Sequence, residues 1–123
     1  MAKRILIADD EPNIVTSLEF LMEQAGYETK VATNGQEALD LAASFRPDLV
    51  LLDIMFPAKS GYEVCQRLKG EPATRSIKVV IVSAKGRDVE VAKALELGAD
   101  AYIAKPFSTR ELVAKVRELL GNP

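Results

Sequence analysis

The sequence has 123 residues, of which 48% are hydrophobic, and its 16 Lys and Arg residues are nearly balanced by 18 Asp and Glu residues. A chain of this length and composition is sufficient for one domain with a single buried core. The basic residues are scattered among acidic ones rather than gathered into a stripe, so we predict no direct contact with nucleic acid.

Five short segments, each followed by a polar turn and an amphipathic stretch, predict five strand-helix units. They comprise residues 5–8, 27–31, 49–52, 79–82 and 101–104. Four of them are continuous apolar runs, which are typical of parallel strands covered on both faces. The second segment alternates between polar and apolar residues, and this pattern indicates an edge strand with one face partly in water.

The first helix is marked at both ends and along one face. Pro12 suits its first turn, and Gly26 suits the position just past its end. We interpret Phe20 and Met22 as packing residues of this helix rather than as part of a cofactor site. The apolar face comprises Ile14, Leu18, Leu21, Met22 and Ala25.

The later helices carry similar signals. Three of them begin with a capping residue followed by a glutamate, in the pairs Asn34–Glu37, Ser60–Glu63 and Ser108–Glu111. Val91 and Leu95 mark the fourth helix, and Gly98 follows it. The fifth helix has a broad apolar stripe of Leu112, Val113, Val116, Leu119 and Leu120. The alternation of strands and helices predicts an α/β fold, in which helices cover both faces of a parallel sheet.

Polar residues follow the predicted strands, and the fold would gather them at one edge of the sheet, where such sheets bind ligands. They are Asp9, Asp10 and Glu11 after the first run, Asp53 after the third, Ser83 after the fourth and Lys105 after the last. Several carboxylates in one small site repel one another, and a hard cation such as Mg2+ would offset that repulsion. Together with a lysine and a hydroxyl, such a site suits phosphoryl transfer to a carboxylate.

Each of these residues also has an ordinary structural explanation. Acids at 9–11 favour the start of a helix, Asp53 and Ser83 could be capping residues, and Lys105 before a proline could be an exposed side chain. Each signal is weak alone. Their combination at the same end of successive strands is what favours a functional site.

The set Asp9-Asp10, Asp53, Ser83-Ala84 and Lys105-Pro106-Phe107 resembles the receiver (CheY-like) domain of bacterial two-component response regulators. Pro57, Gly61 and the segment 98–102 also match the family, so the resemblance covers residues 1–123 as a single receiver domain. It implies a flavodoxin-like, doubly wound (βα)5 fold whose five-stranded parallel sheet has the order 2-1-3-4-5.

The resemblance also implies roles for individual residues. Asp53 would be the phosphorylated nucleophile, Ser83 would donate a hydrogen bond to the phosphoryl group, and Lys105 would pair with it. Mg2+ would be held by Asp10, Asp53 and the backbone carbonyl of Met55, with Asp9 binding directly or through water. The Lys105–Pro106 peptide bond would be cis.

The family's conformational switch would comprise Ser83 and Tyr102 and would alter the surface of roughly residues 88–120. Some positions depart from the commoner family pattern: Ser83 replaces threonine, and the residues at 56 and 59 are unusual. Met55 and Lys85 occupy positions that tune the lifetime of the phosphoryl group, and we hypothesise that Met55 slows the entry of water.

Three other functions compete with the phospho-acceptor switch. A metal-dependent phosphatase with an aspartate nucleophile would place a second aspartate two residues later, where this chain has Met55. A receiver-like interaction module that is never phosphorylated would usually lack an acid or the lysine, and this chain has both. A kinase or NTPase is excluded because no G-x-x-x-x-G-K loop occurs. We therefore expect a signalling domain rather than an enzyme.

The chain has no histidine, so a phosphohistidine donor must be a partner, either a sensor histidine kinase or a phosphotransfer protein. A downstream protein target, or an output domain outside this chain, would respond to the switch. A phosphorylation-dependent homodimer is a further possible partner.

The single cysteine, Cys65, excludes an internal disulfide and is interpreted as a packing residue. No apolar run approaches the length of a membrane span. We expect a cytoplasmic protein without membrane contact.

Overall fold

The computed structural model describes residues 2–54, 61–84 and 88–121. Within these ranges, five strands and five helices alternate along the chain: β1 (Arg4–Ala8), α1 (Pro12–Gln24), β2 (Glu28–Ala32), α2 (Gly35–Ser44), β3 (Leu49–Asp53), α3 (Gly61–Gly70), β4 (Lys78–Ala84), α4 (Asp88–Glu96), β5 (Ala101–Lys105) and α5 (Thr109–Leu120). The predictions for Met55, Phe56, Pro57, Lys59, Ser60 and Lys85 concern positions outside the described residues.

The five strands form one parallel sheet in the order β2-β1-β3-β4-β5, which confirms the predicted fold. The central strand β3 therefore lies between β1 and β4, and Asp53 at its end is aligned with Val82 of β4. In the described part of the chain, no helix is both long and apolar enough to cross a bilayer.

Hydrophobic clusters cover both faces of the sheet because successive strand residues point to opposite sides. On one face, Leu6, Val50 and Ile81 pack with α2, α3 and α4. On the other, Ile7 and Leu51 pack with α1 and α5. Burial on both faces explains why the inner strands are continuous apolar runs.

The two outer strands are less covered. The alternating burial of β2 confirms the edge strand predicted from its sequence. The prediction that residues 101–104 are covered on both faces was wrong, since only Ile103 of β5 is fully buried. Among the described strands, β5 pairs with β4 alone, so its outer side is open to water.

The predicted helix starts are observed wherever the structure describes them. Pro12 lies in the first turn of α1, and the side chains of Asn34 and Ser108 accept hydrogen bonds from the backbone N–H groups of Glu37 and Glu111. Phe20 does not pack as predicted, because 63% of its surface is exposed.

Two predictions about packing within α3 and α4 had different outcomes. Cys65 is fully buried, as predicted for a packing residue, and burial raises the pKa of its thiol. In α4, Val91 is buried, but Ala94 rather than Leu95 provides the next core contact.

A partly exposed ion pair ties the end of α3 to the start of β5, far from the acidic edge of the sheet. The Lys69 ammonium lies 3.0 Å from a carboxylate oxygen of Asp100 and also donates to the carbonyl of Ile77 at 2.8 Å. The same Asp100 oxygen accepts the backbone N–H of Val79 at 2.8 Å. Asp100 therefore joins α3, β4 and β5 at one point.

Replacing Asp100 with alanine should lower the free energy of unfolding by about 2 kcal/mol, because it removes charge-assisted hydrogen bonds and leaves Lys69 without its carboxylate. Denaturant titration of the parent and variant measures this change. Glu118→Ala is the control, because Glu118 is 67% exposed in its pair with Lys115. Its loss should cost under about 0.5 kcal/mol. Equal effects of the two substitutions would contradict this account.

Candidate functional site

The ends of β1 and β3 bring two buried aspartates to the same edge of the sheet. Asp53 is the last residue of β3 and is 5% exposed. Asp9 directly follows β1, is 1% exposed, and donates its backbone N–H to the carbonyl of Ala32 at 3.1 Å. That bond extends the β1–β2 ladder by one step, so the backbone that carries Asp9 is fixed by the sheet.

A third carboxylate completes the acidic cluster. Asp10 is exposed, yet one of its oxygens, one of Asp9 and one of Asp53 all lie within 4.8 Å of one another. Three carboxylate oxygens at this spacing form a hard donor set, which fits Mg2+ with water completing its coordination. The sequence predicted this grouping of Asp9, Asp10 and Asp53, and the structure brings all three together.

Lys105, at the end of β5, supplies the positive charge that faces this cluster. Its ammonium lies 3.0 Å from Asp9 Oδ2 and 3.4 Å from Asp53 Oδ2. A third contact of 3.1 Å joins it to Glu11 Oε1. Glu11 was noted in the sequence as an acid after the first run, but its pairing with Lys105 was not predicted.

One sequence signal could have pointed to Glu11. It occupies the N-cap position of α1, where Ser, Thr, Asp or Asn would accept a hydrogen bond from the first turn. Its side chain makes no such bond, whereas its backbone N–H donates to Asp9 Oδ1 at 3.0 Å. A poor capping residue beside two aspartates indicates that the Glu11 carboxylate has a partner other than the first turn of α1.

The charges of the site act on one another. Burial raises the pKa of Asp9 above its ordinary value, against the lowering effects of the Glu11 backbone N–H and of Lys105. For Lys105, burial works to lower the pKa, but the carboxylates of Asp9, Asp53 and Glu11 outweigh it, and the pKa is raised. The lysine is therefore held in its charged form by the surrounding acids.

The first residue of α3, Gly61, packs closely against the backbone of Asp53 and Ile54 at the end of β3. Its N–H donates to the carbonyl of Ile54 at 3.0 Å. A Cβ atom added at Gly61 would collide with the carbonyl oxygen of Asp53 and would lie 2.5 Å from the Cα of Ile54. A side chain at this position is incompatible with the present position of the strand end.

The remaining predicted site residues lie on β4 and β5. Ser83 is 1% exposed, one residue beyond the partner of Asp53 in the β3–β4 register, and its hydroxyl donates to the carbonyl of Ala84 at 3.5 Å. Tyr102 is half-buried on the edge strand and packs against the cluster formed with α2, α3 and α4. The Lys105–Pro106 peptide bond is cis, as predicted.

Comparison with known proteins identifies the family. The model of the response regulator receiver domain matches residues 5–117. The chain belongs to the response regulator receiver domain family. Receiver domains are signalling domains of two-component systems, and the family binds Mg2+ in an acidic site.

Solved receiver domains superpose closely on this one. The receiver domain of a signal transduction histidine kinase from Syntrophus aciditrophicus is 37% identical, with a TM-score of 0.89, and the match covers 97% of this chain and 90% of that one. A CheY-like receiver domain protein from Methanospirillum hungatei JF-1 is 32% identical, with a TM-score of 0.91 over 98% and 94% of the two chains.

A third receiver domain bears on the acidic site. It comes from the sensor histidine kinase PA1611 of Pseudomonas aeruginosa PAO1 and is 25% identical, with a TM-score of 0.89 over 98% of this chain and 99% of that one. Its structure contains a magnesium ion coordinated in the active site cleft.

Proposed function

We propose that this receiver domain is a phospho-acceptor switch that takes a phosphoryl group on Asp53 from a partner's phosphohistidine. One observation carries the proposal: the Lys105 ammonium bridges Asp9 and Asp53 at 3.0 and 3.4 Å, beside a cluster of three carboxylates. This arrangement combines a buried nucleophile with a fixed positive charge for the phosphoryl oxygens.

In the proposed reaction, a carboxylate oxygen of Asp53 forms a bond to phosphorus as the bond from phosphorus to the donor nitrogen breaks. The electron pair of the broken bond stays on that nitrogen, which takes up a proton. Lys105 would pair with an oxygen of the transferred group, and the Ser83 hydroxyl would donate to another. The products are an aspartyl phosphate on this chain and a neutral histidine on the partner.

The donor set of the acidic cluster fits Mg2+. Asp10 and Asp53 would be direct ligands, and Asp9 would bind directly or through water. The backbone carbonyl of Met55, which lies outside the described residues, would be a further ligand. When bound, Mg2+ would neutralise part of the charge that accumulates on the phosphoryl oxygens. The carboxylates of Asp9, Asp10 and Asp53 would supply the negative charge that holds the ion.

The output of the switch would be a shift of Ser83 and Tyr102 that alters the surface of α4, β5 and α5. Ser83 is paired with Ala104 and Tyr102 with Ile81 in the β4–β5 register, so Ser83 and Tyr102 lie on the same face of adjacent strands. A movement of Ser83 would change the space open to the Tyr102 ring. A downstream protein, or an output domain outside this chain, would read that surface. We treat residues 1–123 as one receiver domain, because β1 and α5 share a single hydrophobic cluster. We propose that it acts in the cytoplasm.

The test is the intact mass after incubation with acetyl phosphate and Mg2+. The parent should gain one phosphoryl group of ~80 Da, and EDTA should prevent the gain. Proteolytic mapping should place the group on the peptide that contains Asp53. No mass gain, with Mg2+ binding confirmed independently, would instead favour an interaction module that is never phosphorylated.

A further inference from the structure

The ammonium group of Lys105 is shared by three carboxylates at once. Its contacts are 3.0 Å to Asp9, 3.1 Å to Glu11 and 3.4 Å to Asp53. An ammonium group has three protons to donate, so three acceptors match its full capacity. A phosphoryl oxygen that pairs with Lys105 must therefore displace one of these partners or share its proton.

The three carboxylates differ in how easily they can be released. The side chains of Asp9 and Asp53 are only 2% and 7% exposed, whereas that of Glu11 is 59% exposed. A buried carboxylate that loses its cation stays desolvated and charged, which is costly. The Glu11 carboxylate is already largely hydrated, so its side chain can rotate away from Lys105 towards the solvent at little cost.

The backbone of Glu11 is fixed, and among the described residues Lys105 is the partner of its carboxylate. Its N–H supports Asp9 at 3.0 Å, and its carbonyl accepts the N–H of Val15 in the first turn of α1 at 2.9 Å. The side chain makes no capping bond to the helix. Replacing the carboxylate with an amide therefore removes the charge that faces Lys105 without removing a helix cap.

We propose that Glu11 is a positioning residue, an exchangeable counter-ion that holds Lys105 before phosphorylation and yields it to the phosphoryl group afterwards. This inference rests on the proposed phospho-acceptor function and names the group that controls its lysine. Glu11 then competes with the incoming anion by occupying the ammonium group of Lys105. Its removal should strengthen the binding of a phosphoryl analogue.

The test is titration with beryllium trifluoride at saturating Mg2+ and low ionic strength. Glu11→Gln should lower the apparent Kd about two- to fivefold, as expected for a partly exposed ion pair. Glu28→Gln is the matched control, because Glu28 is a 53% exposed partner of Arg4 at the opposite end of the sheet. That variant should bind as the parent does. An unchanged or weakened affinity in Glu11→Gln would overturn the proposal.

A double-mutant cycle separates a role through Lys105 from a general effect of charge. In a Lys105→Gln background, the gain from Glu11→Gln should disappear. A gain of the same size in that background would contradict the positioning role, because Glu11 would then act on the anion directly.

The ion pair itself is tested without Mg2+ or any analogue. The NMR signals of the Lys105 ε-methylene group should move in Glu11→Gln and stay in place in Glu28→Gln. Unmoved signals in both variants would overturn the inference, whatever the parent does with phosphate. If the signals move but the parent gains no phosphoryl group from acetyl phosphate, the proposed function fails while the ion pair stands.

Discussion

Replacing Asp53 with asparagine should abolish the gain of a phosphoryl group from acetyl phosphate. The amide of asparagine has nearly the same shape as the carboxylate, but it has neither its negative charge nor its nucleophilic oxygen. Intact mass spectrometry should show only unmodified protein under conditions that convert the parent.

A matched control excludes a general effect of an aspartate-to-asparagine change. Asp40 is exposed on α2, where its carboxylate accepts a hydrogen bond from Gln36 at 3.1 Å. Asp40→Asn should gain the phosphoryl group as the parent does. A gain that persists in Asp53→Asn would place the acceptor elsewhere, and Asp10 would be the first residue to examine because it lies exposed in the same cluster.

The fold and most of the site could be predicted from the sequence because the two depend on the same physical pattern. Inner parallel strands are buried on both faces, so β1, β3 and β4 are continuous apolar runs that stand out from the amphipathic helices. The carboxyl ends of parallel strands meet at one edge. The positions where the apolar runs end were therefore sufficient to predict that Asp9, Asp53 and Lys105 lie close together.

Contacts that depend on a side chain's direction could not be predicted in the same way. Glu11 and Lys105 are 94 positions apart, so although a glutamate is a poor N-cap residue, nothing in the local sequence identifies Lys105 as the partner of its carboxylate. Similarly, Lys69 and Asp100 meet across 31 positions. Such pairs follow from the assembled fold rather than from any local pattern.

Predictions of burial for single apolar residues were the least successful. Periodicity alone does not distinguish Leu95 from Ala94 as the core residue of α4, because both lie within one turn of Val91. Phe20 in α1 is apolar, but its direction around the helix takes it into water. An apolar residue on a helix is informative about packing only when its angular position agrees with the rest of the buried face.

Replacing Gly61 with alanine should damage both the fold and the proposed phosphorylation. The new methyl group would collide with the backbone carbonyl of Asp53 and would come within 2.9 Å of its carbonyl carbon. Backbone atoms cannot swing aside as a flexible side chain can, so the end of β3 or the start of α3 must move. We expect the free energy of unfolding to fall by about 3 kcal/mol, the upper part of the usual range for overpacking.

The same displacement should slow phosphoryl transfer, since a shift of the nucleophile by about 1 Å can reduce a rate by roughly 100-fold. Gly70 provides a matched control at the other end of α3, where an added Cβ meets nothing within 4 Å. Gly70→Ala should leave phosphorylation unchanged and raise stability by about 0.5 kcal/mol, because alanine loses less conformational freedom on folding. Denaturant titration and the time course of the intact mass measure the two effects. Equal behaviour of the two variants would show that the close approach of Gly61 to Asp53 does not position the acceptor.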